Sequence, residues 1–251
     1  MLLKSFFSAL LLTLTLSPVY AETIRVAVAA NFTAPMKQIA EAFQQQTGNE
    51  LLLSFASSGK FYAQILNNAP YDVFLSADQK KPQALVEQQL AVADSRFTYA
   101  VGVLALWSMQ KGLVDEGGTI LQKGNFQWLA IANPRLAPYG SAAVEVLENL
   151  KLYAPLKARI VEGENISQTF QFVRTGNAEL GFIALSQLKG NDLANTGSYW
   201  QVPASLHTPI RQDAVLLKSA QNPAAATELL NFLRSDKARA IITDFGYGLE
   251  M

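Results

Sequence analysis

Ala30-Asn31, Ser57-Ser58, Pro138-Tyr139 and Asn165-Ile166 are four short steps, each placed to open a helix. The first turn of a helix carries N–H groups with no partner inside the helix, together with the positive end of its dipole. It is therefore a ready site for an anion. Hardly any basic side chain stands beside the four steps. Their chemistry is that of a cage of neutral donors, able to hold a small dianion without a buried lysine or arginine. Taken singly, Asn31 reads as the N-cap of the helix after it, and Ser57-Ser58 reads the same way for the next helix. Position adds to this: both steps follow the carboxyl end of a strand, where open α/β sheets place their ligands.

The elements that must position the steps follow from hydrophobic periodicity. Thr23–Ala29 alternates as a buried strand, and Thr33–Gln46 sets Met36, Ile39, Ala40 and Phe43 at helical spacing. Leu51–Phe55, Lys60–Asn67, Asp72–Leu75 and Lys80–Gln89 continue as strand, helix, strand, helix. A second unit of the same kind uses strands Trp128–Ala132, Ala158–Val161 and Gly181–Leu185, with helices Ala142–Leu150 and Ser167–Arg174 between them. The fold class is α/β in two lobes, each a mixed, mainly parallel sheet flanked by helices. Tyr99–Trp107 and Thr208–Leu217 read as two long strands that bracket the second unit. They predict a two-strand hinge on which the lobes close around a ligand. The first lobe is then residues 22–100 plus 211–251, ending in helices Ala224–Leu233 and Lys237–Phe245, and the second lobe is residues 101–210.

Residues 1–21 read as a cleavable signal peptide, with Lys4 before the apolar run Leu10–Leu16, a break at Pro18 and a small residue, Ala21, at the cut. The run is shorter than the ~20 residues that span a bilayer. The expectation is an exported, soluble, periplasmic protein that starts at Glu22. The chain has no cysteine, which excludes disulfides, thiolate metal sites, a cysteine nucleophile and a lipid on a cleavage-site cysteine. Basic and acidic residues number 20 each, so cleavage after Ala21, which removes Lys4, leaves a net charge of −1. That balance gives no footprint for nucleic acid or for an anionic membrane. The single histidine, His207, argues against a histidine triad or a multi-histidine metal site and reads as structural.

Other motifs carry less. Gly59-Lys60 lacks the earlier glycine and the following Ser/Thr of a phosphate loop, so nucleotide binding is rejected. Gly59 reads instead as a residue that lets the chain turn tightly into its helix. Asn31-Phe32-Thr33 and Asn165-Ile166-Ser167 match the N-glycosylation sequon as a by-product of helix capping. Asp78 reads either as a cap for the next helix or as a ligand-facing acceptor. With no G-x-S-x-G elbow, metal-ligand cluster or histidine triad, the chain reads as a binding protein without catalytic residues, not an enzyme.

Ala29-Ala30-Asn31-Phe32-Thr33, Phe55-Ala56-Ser57-Ser58-Gly59, Asp72-Val73-Phe74-Leu75-Ser76-Ala77-Asp78 and Glu179-Leu180-Gly181-Phe182 resemble the periplasmic molybdate-binding proteins, the solute-binding components of molybdate ABC transporters. The resemblance covers essentially all of the chain after the signal segment. It implies a two-lobe periplasmic binding protein fold of the second topological type. It implies molybdate, with tungstate beside it, as a ligand held as its oxyanion, with no cofactor and no directly ligated metal. The implied partners are a membrane permease and its ATPase, and the implied carrier is a monomer. Carried over residue by residue, Asn31 takes the first donor step with Ala30 beside it, Ser58 takes the second, and Ile166 takes the place of a backbone donor. Tyr139 stands where many members have a small residue, and Ala184 where many have a ligand-contacting tyrosine. The two departures compensate if Tyr139 supplies the hydroxyl that Ala184 lacks. The alternatives are a receptor for another tetrahedral oxyanion, such as sulfate or phosphate, and a sensory module with no transport role.

Overall fold

The computed structural model describes residues 21–191, 193 and 195–250; apart from Ala21, the expected signal peptide lies outside them. In chain order the strands are β1 (Thr23–Ala29), β2 (Glu50–Ala56), β3 (Val73–Leu75), β4 (Phe97–Gly102), β5 (Leu104–Ser108), β6 (Leu129–Ala132), β7 (Ile160–Gly163), β8 (Leu180–Ala184), β9 (Ser198–Gln201) and β10 (Ile210–Leu216). The α-helices are α1 (Thr33–Thr47), α2 (Ser58–Leu66), α3 (Lys80–Glu87), α4 (Ile120–Lys123), α5 (Pro138–Asn149), α6 (Tyr153–Leu156), α7 (Ile166–Arg174), α8 (Leu185–Gly190), α9 (Pro223–Leu233) and α10 (Asp236–Asp244).

The strands form two five-stranded sheets, ordered β2-β1-β3-β10-β4 and β7-β6-β8-β5-β9. In each, the first two pairings are parallel and the other two antiparallel. The two lobes therefore repeat one topology. The pair β1–β2 in the first sheet corresponds to β6–β7 in the second. Apolar side chains cover both faces of each sheet. Met36, Ile39 and Phe43 of α1 pack with Val26, Val28 and Leu229 on one face of the first, and Phe61, Phe74 and Leu85 fill the other. Leu106, Ile131, Val146 and Phe182 fill one face of the second, and Trp107, Phe170 and Ile183 fill the other.

The hinge region differs from the sequence reading in its detail. The expected long strand Tyr99–Trp107 is two strands: β4 pairs with β10 in the first sheet, and β5 pairs with β8 and β9 in the second. Val103 alone passes between them. One apolar run can feed two buried sheets without a polar break, because both sheets ask for the same residue types. The C-terminal segment adds a further strand-like contact: Val101 and Gly248 exchange backbone hydrogen bonds at 2.8 and 2.9 Å. α8 and β9 were not foreseen, and α5 starts four residues before the expected Ala142, at Pro138. Proline suits that place, since the first helical residue has no use for its N–H.

Asp72 ties the bottom of the first sheet together. Its carboxylate accepts from Arg25 N, Nε and Nη2 at 2.7, 3.0 and 2.8 Å and from Gln221 N at 2.8 Å. Burial by itself would raise the Asp72 carboxyl, but the hydrogen bonds from Arg25 and Gln221 outweigh it and hold the group below its ordinary value. A depressed carboxyl adds stability above its unfolded value near pH 4 and loses it as pH falls through the folded one. Asp72→Asn is expected to cost about 2 kcal/mol at neutral pH. It should also flatten the loss of stability below about pH 4, which urea unfolding at neutral and acid pH would measure.

Candidate functional site

All four steps meet at one place. Ala29, Ala30, Asn31, Ser57, Ser58 and Ala77 of the first lobe, and Ala137, Pro138, Tyr139, Asn165 and Ile166 of the second, line one small cavity. The steps follow β1 and β2 in one lobe and β6 and β7 in the other, so the repeated topology brings corresponding strand ends face to face. Among the described residues, the N–H groups of Asn31, Ser58, Tyr139 and Ile166 meet no protein acceptor. All four residues are buried. Among the described residues, no lysine, arginine, histidine or carboxylate lines the cavity.

Local chemistry holds each step in place. Ser57 caps α2 by accepting from Lys60 N at 3.3 Å, and Asn165 caps α7 by accepting from Ser167 N and Gln168 N at 2.9 and 3.0 Å. In α7 the cap takes the second and third N–H groups; in α2 the cap takes the third and Leu136 O takes the second, so in both turns the first, on Ser58 and Ile166, is left without a protein acceptor. The Ser58 hydroxyl oxygen accepts from Ala77 N at 2.9 Å, so its proton is free to donate. Asn31 departs from its expected role as an N-cap. It lies inside a 3₁₀ turn, Ala30–Phe32, and its side-chain amide donates to Gln212 Oε1 at 2.8 Å and to the Tyr247 hydroxyl at 3.0 Å. Buried acceptors behind the turn draw the amide away from the helix, and the backbone N–H is left without a protein acceptor. Asp78 takes the bland alternative: it accepts from Lys81 N at 3.0 Å, pairs with Lys81 Nζ at 2.5 Å and does not line the cavity. His207 is buried near the return crossover, its Nδ1 2.8 Å from Thr208 O.

Tyr139 reaches from the second lobe into the hinge. Its hydroxyl accepts from Gln212 Nε2 at 3.4 Å, and Gln212 Oε1 also accepts from the Tyr99 hydroxyl at 3.1 Å. Gly102 makes room for it, since a Cβ there would stand 2.2 Å from the Tyr139 oxygen. Burial, followed by the neighbouring Tyr247 and Tyr99, pushes the Tyr139 phenol far above its ordinary value, so it stays protonated. Ala184 is fully buried at the end of β8, where its N–H donates to Gln187 Oε1 at 3.0 Å. Gln212, Tyr99, Tyr247 and Ser186 were not singled out from the sequence. The available signal was the pair Gln212-Asp213 ahead of the apolar run Ala214–Leu217, because a polar residue at a buried strand position needs a partner.

The lobes are in contact around the cavity. Gly59 N donates to Leu136 O at 2.9 Å across the boundary, and Lys60 Nζ pairs with Glu164 at 2.7 Å at the rim. Gly59 does not adopt the left-handed conformation expected of a tight turn. A Cβ at Gly59 would lie 2.9 Å from both the Cα and the O of Leu136, so the absent side chain serves the approach of the opposite lobe. Lys60, two residues after Ser58, is half-exposed and already paired.

The family model of the bacterial extracellular solute-binding proteins matches residues 24–248. The chain belongs to that family. Within it, this solute-binding protein is 51% identical over 230 residues to the molybdate-binding protein of Azotobacter vinelandii, covering 92% of this chain and 91% of the relative. It is 46% identical to that of Rhodobacter capsulatus, over 99% of this chain and 97% of the relative. The structure of an Azotobacter vinelandii periplasmic molybdate-binding protein superposes with a TM-score of 0.89 at 43% identity, covering 91% of this chain and all of the other. The resemblance stated from sequence motifs thus extends to the whole fold.

Proposed function

We propose that this solute-binding protein is a receptor for molybdate, and for tungstate with it, and that it delivers the anion to the permease and ATPase of an ABC transporter. The observation that carries the reading is the interlobe cavity lined by four residues with unpartnered backbone N–H groups and, among the described residues, by no charged side chain. The 51% identity to a molybdate-binding protein supports the choice of anion. Asn31, Ser58, Tyr139 and Ile166 are the donors, with Ala30 packed beside them. Tyr139 contributes its N–H, while its hydroxyl is engaged with Gln212 in the hinge and does not make up for the one that Ala184 lacks. The protein works as a periplasmic monomer after removal of residues 1–21. Its lobes are residues 22–100 plus 211–251, and residues 101–210. Closure removes water, so each neutral donor acts on the anion in a medium of lower dielectric. Size sets the preference over sulfate, because a smaller tetrahedron leaves donors unpaired at ~1–3 kcal/mol each.

Titration calorimetry on residues 22–251 with molybdate, tungstate, sulfate and phosphate in one buffer tests the reading. Tight one-to-one binding of the first two, with little heat from the others, is expected. Among the described residues, Tyr139 is the one titratable side chain on the cavity wall, held protonated well above neutrality, so affinity for molybdate should change by less than about 2-fold between about pH 6 and 9. Preference for phosphate, with an affinity that follows its own protonation, would overturn the choice of ligand.

A further inference from the structure

Ser167, in the first turn of α7, and Ser186, in α8, belong to the second lobe, yet each donates its hydroxyl to a carbonyl of the first. Ser167 Oγ lies 3.3 Å from Ala30 O, and Ser186 Oγ lies 3.0 Å from Asn31 O. The Ala30 carbonyl is the other end of the peptide whose N–H, that of Asn31, faces the cavity. It also accepts from Thr33 Oγ1 at 2.8 Å. A peptide whose carbonyl accepts hydrogen bonds is a stronger N–H donor, because the two ends polarise each other. Ser186 is buried, and its oxygen is 2.9 Å from the Tyr247 hydroxyl, which itself donates to Asn31 O at 2.7 Å. Both cross-lobe bonds require the lobes to be together.

We propose that Ser167 and Ser186 form a two-hydroxyl clamp that sets the Ala30–Asn31 turn in its donor geometry as the lobes close. They are positioning residues, acting through the turn and not on the anion. The clamp rests on the anion-receptor reading above and adds to it the coupling between closure and donor strength.

The absence of cysteine allows a clean probe of closure. Spin labels on Glu41→Cys and Gln171→Cys, both exposed and on helices of opposite lobes, report the interlobe distance while molybdate is titrated. Ser167→Ala is expected to raise the concentration needed for closure about 3-fold, Ser186→Ala about 5- to 10-fold, and the double variant by about the product. The melting temperature of the unliganded protein should stay within about 2 °C of wild type for each, and Ser167→Thr, which keeps the hydroxyl, should restore the wild-type midpoint. Closure of the variants at the wild-type concentration overturns the clamp. So does a loss of affinity that comes with an equal loss of unliganded stability, which would mark the serines as ordinary packing. A wild-type protein that closes on sulfate or phosphate and not on molybdate overturns the ligand assignment, and the clamp is then read on that anion. Closure on none of the four anions overturns both.

Discussion

Gly59→Ala is expected to weaken molybdate binding by about 10- to 100-fold without destabilising the unliganded protein. Gly59 is the second residue of α2, where alanine is favoured over glycine by up to about 1 kcal/mol. The open form should therefore hold its melting temperature or gain slightly. In the closed form the new Cβ would meet Leu136 Cα and O at 2.9 Å, closer than such contacts occur, and both are backbone atoms that cannot swing aside. The lobes must stop short, and the Gly59 N–Leu136 O bond is lost with them. Affinity and stability thus move in opposite directions, which a defect in folding would not produce. Calorimetry beside a thermal scan reads both, and wild-type affinity in this variant would show that the approach of the lobes is not set at Gly59.

Ile166→Pro is expected to cost about 10- to 100-fold in affinity by deleting one backbone donor, since a hydrogen bond to a charged group is worth about 1.5–3 kcal/mol. Proline is tolerated at the first position of a helix, and Asn165 already holds the extended conformation (φ −149°, ψ 174°) that a residue before proline prefers. The caps from Asn165 to Ser167 N and Gln168 N remain. The lost isoleucine packing adds a stability cost of about 1–2 kcal/mol, which Ile166→Val calibrates: it trims the side chain and keeps the N–H. Wild-type affinity in Ile166→Val beside a large loss in Ile166→Pro would assign the effect to the N–H alone. Equal losses in both would place the effect in packing and remove Ile166 from the donor set.

These two variants sit at opposite ends of what could be read without coordinates. Ile166 was legible because a helix start is a local property: an Asn cap, a following apolar period and a preceding strand suffice to expose its N–H. The same holds for Ser58. Gly59 was legible only as a glycine. Its reason lies in Leu136, 77 positions further along the chain, and no local pattern encodes a contact that forms when two lobes meet. Asn31 lies on the cavity wall but does not cap the helix, because its side chain answers to Gln212 and Tyr247, which the topology places behind the turn. The strand break at Val103 was invisible for the opposite reason: both sheets accept the same apolar residues, so the run carries no mark of where it changes lobe.

By itself, the sequence determined the α/β alternation, the bracketing crossovers, the neutral character of the site and the four steps that build it. Periodicity, capping and charge are all written in short stretches of chain. Only the tertiary structure decided that β4 and β10 share the hinge with the C-terminal segment and that Gln212, Tyr99, Tyr139 and Tyr247 form one buried network there. It also decided that serines of one lobe reach carbonyls of the other. Those features depend on which distant residues become neighbours, and a buried polar group takes its partner from whatever the fold puts within about 3 Å.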